Sequence, residues 1–374
     1  MQTISPASSG QVISGLTSGW TYRIDAYGGT FNRFDFSFYY YNRQDIVRLE
    51  QWGTTQWATM SGAFFGCGNM DVTATDVPDL SACQDISDMF CNCTSLVNGN
   101  GSISGWQTAN VTNMQSMFGG AQAFNQPLSN WNTANVTNMS QMFYKATAFN
   151  QPLNWNTGNV TNMERMFSRA TSFNKPLNFN TKKVTHMGLM FQGATSFNQP
   201  LDSFKINAIS YMSDMFKDCG MSCENLSSTL DSWKTQAAAL NKNNVPLGDI
   251  STVSNAYNQT GQAAITALQA RSWTITGGTY AEDCITPTSW FTTVWDITKP
   301  TDRTNSPNTT IAFPGYGTNY RIDWEDVDNP TLAGHHGTVT VPLSSATSPY
   351  YLAVPSGITK VRIKAHKAGG TFYN

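Results

Sequence analysis

The residues able to do chemistry are few and scattered. Seven cysteines occur, Cys67, Cys83, Cys91, Cys93, Cys219, Cys223 and Cys284. An odd number leaves at least one without an intrachain partner. Cys91-x-Cys93 and Cys219-x3-Cys223 fit zinc spacings poorly, and no histidine lies near enough in sequence to complete a ligand set. The four histidines are His186, His335, His336 and His366. His335-His336 reads as a glycine-flanked loop without a carboxylate or cysteine at a spacing that would support acid–base or nucleophilic work. Glu325-Asp326 reads as part of a turn, and a glycosidase pair would need a cleft around it. No phosphate loop, dinucleotide fingerprint, nucleophile elbow or zinc-protease motif is present. The expectation is therefore no enzyme, no metal and no cofactor. Asn-x-Ser/Thr sequons, among them those at Asn92, Asn110, Asn135, Asn138, Asn159, Asn225, Asn258 and Asn308, matter only in a eukaryotic secretory pathway.

The elements that would position such residues are set by a repeat. The chain reads NVTNMQSMFGGAQAFNQPLSNW from Asn110, NVTNMSQMFYKATAFNQPLNW from Asn135 and NVTNMERMFSRATSFNKPLNF from Asn159. A fourth copy follows from Lys183, and a fifth begins at Ala208. Met114, Met139, Met163, Met187 and Met212 recur at steps of 25, 24, 24 and 25 residues. A period of this size means stacked units, each too small to bury its own apolar face. Two irregular copies precede them, Met60-x-x-Ala63-Phe64-x-x-Cys67 and Ile86-x-x-Met89-Phe90-x-x-Cys93, giving seven coils. The coils then share a column at Phe64, Phe90, Phe118, Phe143, Phe167, Phe191 and Phe216, and a small-residue column at Cys67, Cys93, Ala121, Ala146, Ala170, Ala194 and Cys219. Three cysteines thus stand where alanine stands elsewhere and read as small buried hydrophobes.

Within a coil, Met-x-x-Met-Phe-x-x-Ala places apolar residues at i, i+3, i+4 and i+7, which predicts a helical segment of about two turns, such as Met139 to Ala146. The preceding Asn-Val-Thr-Asn supplies a cap, and Phe-Asn-Gln-Pro-Leu stops the helix before a short extended segment. Trp106, Trp131, Trp155, Phe179 and Phe204 form a further column. These aromatic and methionine columns read as stacked core rather than as a ligand groove. Asn125, Asn150, Asn174 and Asn198 read as a ladder bonding turn backbone, because buried amides must find partners. His186 replaces an asparagine of the repeat and is expected in solvent.

Composition narrows the function classes. Only 12% of the 374 residues are charged, against roughly 25% in ordinary soluble domains, and the net charge is −2. No basic footprint for nucleic acid exists, and no apolar run approaches the ~20 residues of a membrane span. The uncharged polar surface suits an extracellular, cell-surface or virion-surface protein. Residues 1–20 lack a signal-peptide pattern, so either a leader has been removed or export is by lysis.

Val136 to Trp155 resembles the coil of the BspA-like leucine-rich-repeat surface family, of the form VTNMSxMFxxAxxFNQxLxxW. The resemblance covers roughly residues 46–285. It implies an α/β leucine-rich-repeat-like solenoid, with a short strand and a short helical segment in each coil. It also implies a closing strand–helix–strand over Gly248-Asp-Ile-Ser-Thr, Gly261 to Arg271 and Ser272 to Gly278, and a non-enzymatic adhesion or binding role whose ligand does not transfer.

The flanks are different sequence. Residues 1–45 hold two alternating aromatic stretches and read as β-strands, a partial module or cap. Residues 286–374 contain several short alternating strands and read as an antiparallel β-sandwich. Tyr320-Arg-Ile-Asp-Trp-Glu-Asp resembles a strand and turn of small immunoglobulin/PKD-like modules, without their Gly-Asp-Gly turn. The two ends also resemble each other: Tyr22-Arg-Ile24-Asp-Ala and Gly-Gly-Thr-Phe31 recur as Val361-Arg-Ile363-Lys-Ala and Gly-Gly-Thr-Phe372. Either the chain is one unit of a longer tandem array, or copies join head to tail by strand addition. The expected partners are other copies of this chain and a host cell-surface protein or glycan. The leading expectation is a surface or filament unit, and the runner-up is a virion decoration or host-recognition protein.

Overall fold

The computed structural model describes residues 43–253, 256–281 and 284, and the backbone of six strands between 291 and 367. The chain divides into two compact units, Met1–Tyr280 and Ala281–Asn374.

In the first unit the repeats lie one on another in parallel register. Single parallel bridges run Asp85↔Asn113, Asn113↔Asn138, Asn138↔Asn162, Asn162↔His186 and His186↔Tyr211. The expected short strand is thus reduced to one bridged residue per coil. The helical segment expected over Met139 to Ala146 is absent as well. Met142 N–H donates to Met139 O at 3.3 Å and Ala146 N–H to Phe143 O at 3.0 Å, closing two tight turns in succession. The third residue of each turn is left-handed, Gln141 at φ 57° and Lys145 at φ 57°. Alternate amides leave the coil: Met139, Gln141, Phe143 and Lys145 donate to the carbonyls of Asn162, Glu164, Met166 and Ser168 at 2.8–3.0 Å. The same ribbon recurs in all seven coils, with a left-handed pair such as Asp88 and Asn92, or Arg165 and Arg169.

The physical reason for the failed helix is that both backbones point the same side chains inward. Two consecutive turns place i, i+3, i+4 and i+7 on one side, as a helix does, but hand alternate amides to the neighbouring coil. A left-handed residue costs roughly 1–2 kcal/mol outside glycine, which the bonds between coils offset.

The core is a set of columns. Met114, Phe118, Met139, Phe143, Met163, Phe167, Met187, Phe191, Met212 and Phe216 are each 0% exposed. Trp106, Trp131 and Trp155 are 2%, 3% and 5% exposed. Phenylalanine rings stack coil on coil from Phe64 to Phe191 with centroids 5.6–5.9 Å apart. Inside each middle coil a second ring packs closer, as Phe143 on Phe149 at 3.9 Å. Burying each ring stabilises by roughly 1.5–3 kcal/mol. Polar ladders hold the corners. The backbone N–H groups of Asn150, Asn174 and Asn198 donate to Oδ1 of Asn125, Asn150 and Asn174 at 2.9, 3.0 and 2.9 Å. Thr137, Thr161 and Thr185 hydroxyls each donate to the threonine carbonyl one coil earlier at 3.0–3.2 Å.

Both ends of the stack carry other elements. At the first coil, β1 (Arg48–Leu49) pairs parallel with β2 (Asp71–Val72), and the buried Arg43 guanidinium lies 5.1 Å from the Phe65 ring centre. After the seventh coil comes α1 (Cys223–Ala239), which the sequence reading missed. Its signal was present: Ser222 accepts from Asn225 N–H as N-cap, and Leu226, Leu230, Trp233 and Ala237 are buried at helical spacing. Then follow β3 (Pro246–Asp249), β4 (Ala256–Tyr257), α2 (Gln259–Gln269), β5 (Thr274–Thr276) and β6 (Thr279–Tyr280). β3 pairs parallel with β5, and β4 with β6.

In the second unit, β7 (Phe291–Asp296), β8 (Thr310–Phe313), β9 (Tyr320–Asp326), β10 (His336–Val341), β11 (Tyr350–Ala353) and β12 (Lys360–Lys367) form two antiparallel sheets, β10-β9-β12-β7 and β11-β8. Glu325 and Asp326 therefore lie in strand β9 rather than in a turn. His336 opens strand β10 rather than sitting in a loop.

Candidate interaction surface

The thiols come first, since they offered the most chemistry. Cys67, Cys83, Cys91, Cys93 and Cys219 are free, and Cys223 and Cys284 are in disulfide linkage. Cys67, Cys93 and Cys219 are wholly buried in the small-residue column. Burial pushes the Cys67 thiol up to about 11, against the opposing pull of Arg43. Burial likewise raises Cys91 and Cys219 to about 12. Thiols held protonated are poor nucleophiles and poor metal ligands. Among the described residues no group of three or more His, Cys, Asp or Glu could hold a metal ion, and no helix is long and apolar enough to cross a membrane.

The repeat-core residues named from sequence are brought together as continuous columns, and none of them faces solvent. Of the residues named for subunit joining, Tyr22, Ile24, Phe31 and Phe372 lie outside the described residues. Val361 and Ile363 lie in β12, paired on both sides: Val361 with Asp326 and Trp295, Ile363 with Trp324 and Thr293. His186 is exposed, its Nδ1 2.8 Å from Thr185 Oγ1. An open depression of about 760 Å³ lies between α1 and α2, lined by Lys234, Thr235, Ala238, Asn243, Ala267, Ala270 and Arg271. It holds no carboxylate, histidine or thiol.

What the stack presents to solvent is the outer side of the turn ribbon, and its charge is unevenly distributed. From 49 to 144 the chain carries Glu50, Asp71, Asp76, Asp79, Asp85 and Asp88 and no lysine or arginine. From 145 to 205 it carries Lys145, Arg165, Arg169, Lys175, Lys182, Lys183 and Lys205 against Glu164 and Asp202. This segregation was legible in the sequence, but bulk net charge hid it. On the ribbon, Asp85 Oδ1 accepts from Ser87 N–H at 2.9 Å and from Asn113 Nδ2 at 3.1 Å. Burial raises the Asp88 carboxyl above its ordinary value, the bond from Ser116 opposes this, and the neighbouring Asp85 charge adds to it. Across the ribbon, Lys145 and Arg169 are exposed. Arg165 lies 3.8 Å from Glu164, and the Lys145 ammonium sits 5.0 Å from the Tyr144 ring centre.

Stacked coils in fixed register, with apolar columns inside and polar ladders at the corners, define a repeat protein. The family described as "Mycoplasma protein of unknown function, DUF285" matches twice, over residues 58–154 and 152–246, and the chain belongs to it. Each match spans about four coils or their equivalent. No curated protein sequence and no solved structure matches the chain.

Proposed function

We propose that this chain is a non-enzymatic extracellular surface protein whose repeats form a leucine-rich-repeat-like solenoid, a spacer between terminal β modules that join copies head to tail. Residues 286–374 serve as an immunoglobulin/PKD-like β-sandwich in this reading. The observation that carries it is the recurrence of Arg-Ile-x-Ala and Gly-Gly-Thr-Phe at the two ends, taken with the place of the C-terminal copy. β12 is an inner strand of its sheet, so the next copy's N-terminal segment adds at an outer strand, β7 or β10, by strand addition. A heterologous contact of this kind does not close and produces a fibre. The columns support the spacer role, because the rings from Phe64 to Phe191 each stack on the equivalent ring one coil away at 5.6–5.9 Å, which favours a rigid stack. Surface adhesion is assigned to the uncharged Asn/Thr/Gln corners, with a cell-surface protein or glycan as ligand.

Electron microscopy of the purified full chain tests the joining. Filaments with one chain per axial repeat are expected, and Ile24→Asp should abolish them. A monomer at high concentration overturns the reading.

A further inference from the structure

We infer that Lys145, Arg165 and Arg169 on the turn ribbon form a binding site for a linear sulfated polysaccharide. The seventh ribbon position runs Gly66, Asn92, Gly120, Lys145, Arg169, Gly193 and Asp218 through the coils, and it is left-handed in every one. Glycine adopts that conformation freely, and asparagine or aspartate at reduced cost. Lys145 and Arg169 have neither advantage, yet stand there at φ 57° and 59°. Arg165 stands likewise at the third position, at φ 55°, where the first coil has Gly62. The fold alone is better served by glycine, and strain kept at exposed positions points to a use for the side chains.

The three cations are placed to act together. Lys145 and Arg169 hold the same position in neighbouring coils, about 4.8 Å apart along the stack, and Arg165 shares a coil with Arg169. All three are exposed. The Arg169 stem lies against Gly193 of the sixth coil, which has no side chain to displace it. The Lys145 ammonium sits 5.0 Å from the ring centre of half-buried Tyr144, which adds an amphipathic ring at the edge of the cluster. Lys145 and Arg169 make no ion pair among the described residues, and that of Arg165 with Glu164 is long at 3.8 Å.

The neighbouring coils bound the ligand. The ribbon is acidic two coils before the cluster, at Asp85 and Asp88, and two coils after it, at Asp214 and Asp218. Lys217 beside them is already paired with Asp249 at 3.4 Å. A nucleic acid held by its backbone engages roughly 6–10 phosphates, more than three cations between acidic coils can neutralise. A sulfated saccharide presents fewer charges, and its sulfate oxygens can accept the arginine forks in pairs, as phosphate oxygens do. The site lies apart from the terminal segments and from the uncharged corners, so it does not rest on the joining of copies.

The repeat itself provides safe substitutions. Lys145→Gly with Arg169→Gly installs the residue of the third and sixth coils, Gly120 and Gly193. As a control, Lys175→Gln with Lys182→Ala removes two charges away from the ribbon, using the equivalents Gln151 and Ala134 of the fourth coil. Binding of the full chain to heparin at low salt is the measurement. The glycine pair should raise the dissociation constant at least about tenfold, and the control pair less than about twofold. The glycine pair should not lower the melting temperature, since it relieves strain. Arg165→Gln, which borrows Gln141 of the fourth coil, should weaken heparin binding as well. Filaments should form as before in every variant, so this inference and the joining of copies fail separately. A wild-type chain that does not bind heparin overturns the inference. So does an equal loss in the glycine and control pairs, or duplex DNA or poly-glutamate held as tightly as heparin.

Discussion

Asn150 Oδ1 accepts the backbone N–H of Asn174 at 3.0 Å, one coil further along, so the Asn174-Lys-Pro corner is tied down by its predecessor. Asn150→Ala leaves that amide unpaired and should cost about 1–2 kcal/mol. Asn150→Asp keeps the acceptor and should cost much less. The first coil already uses this solution: Asp71 Oδ1 accepts from Val97 N–H at 3.0 Å and from Asn98 N–H at 2.7 Å. Urea unfolding of the two variants separates a lost acceptor from a lost side chain.

Leu189 is left-handed at φ 58° and lies at the position that Gly62 fills in the first coil. Leu189→Gly removes the clash between Cβ and the backbone and should stabilise by about 0.5–1 kcal/mol, the left-handed cost less the added freedom of the unfolded chain. The neighbouring Gly188 behaves in the opposite way. A Cβ there would collide with the Tyr211 ring, so Gly188→Ala should lower the melting temperature.

Two tryptophans of one column differ in a single atom's environment. Trp131 Nε1 donates to Ile103 O at 2.9 Å, whereas the buried Trp106 Nε1 has no partner. Phenylalanine occupies the same column at Phe179 and Phe204. Trp131→Phe should therefore cost about 0.5–1.5 kcal/mol, because it removes a buried hydrogen bond and leaves Ile103 O with only the Trp106 N–H at 3.3 Å. Trp106→Phe removes an unpaired donor and should cost less than Trp131→Phe. Denaturant midpoints of the two variants, measured side by side, decide it.

The buried thiols predict an alkaline limit to stability. Their folded values are raised, to about 11 for Cys67 and about 12 for Cys219, from an ordinary 9.0. The folded state therefore holds protons that the unfolded chain releases. Stability should be fully present below pH 9, and it should fall as pH rises toward 12. Cys219→Ala places alanine where the regular coils have it and should flatten that fall. Thermal melts across pH 8–11 measure the slope, and thiol-reactive dye at pH 8 should label these positions only after unfolding.

The period, the apolar columns and the cysteines that substitute for alanine were legible because every coil repeats them, and a column needs only spacing to be seen. The local backbone was not. Met139, Met142, Phe143 and Ala146 satisfy helical spacing, and nothing along the chain reveals that Gln141 and Lys145 are left-handed. α1 was not read from the sequence although Ser222, Leu226, Leu230 and Trp233 carry its cap and spacing, because it stands where the regular coils have their Asn-Gln-Pro corner and so lies inside the repeat's own period.

By itself the sequence determined that coils stack, how many there are, and which side chains are buried between them, since burial follows periodicity. Only the tertiary structure decided where the backbone amides go. A helix would spend them within the coil, whereas here alternate amides cross to the next coil. That choice depends on a neighbour 23 or more residues away.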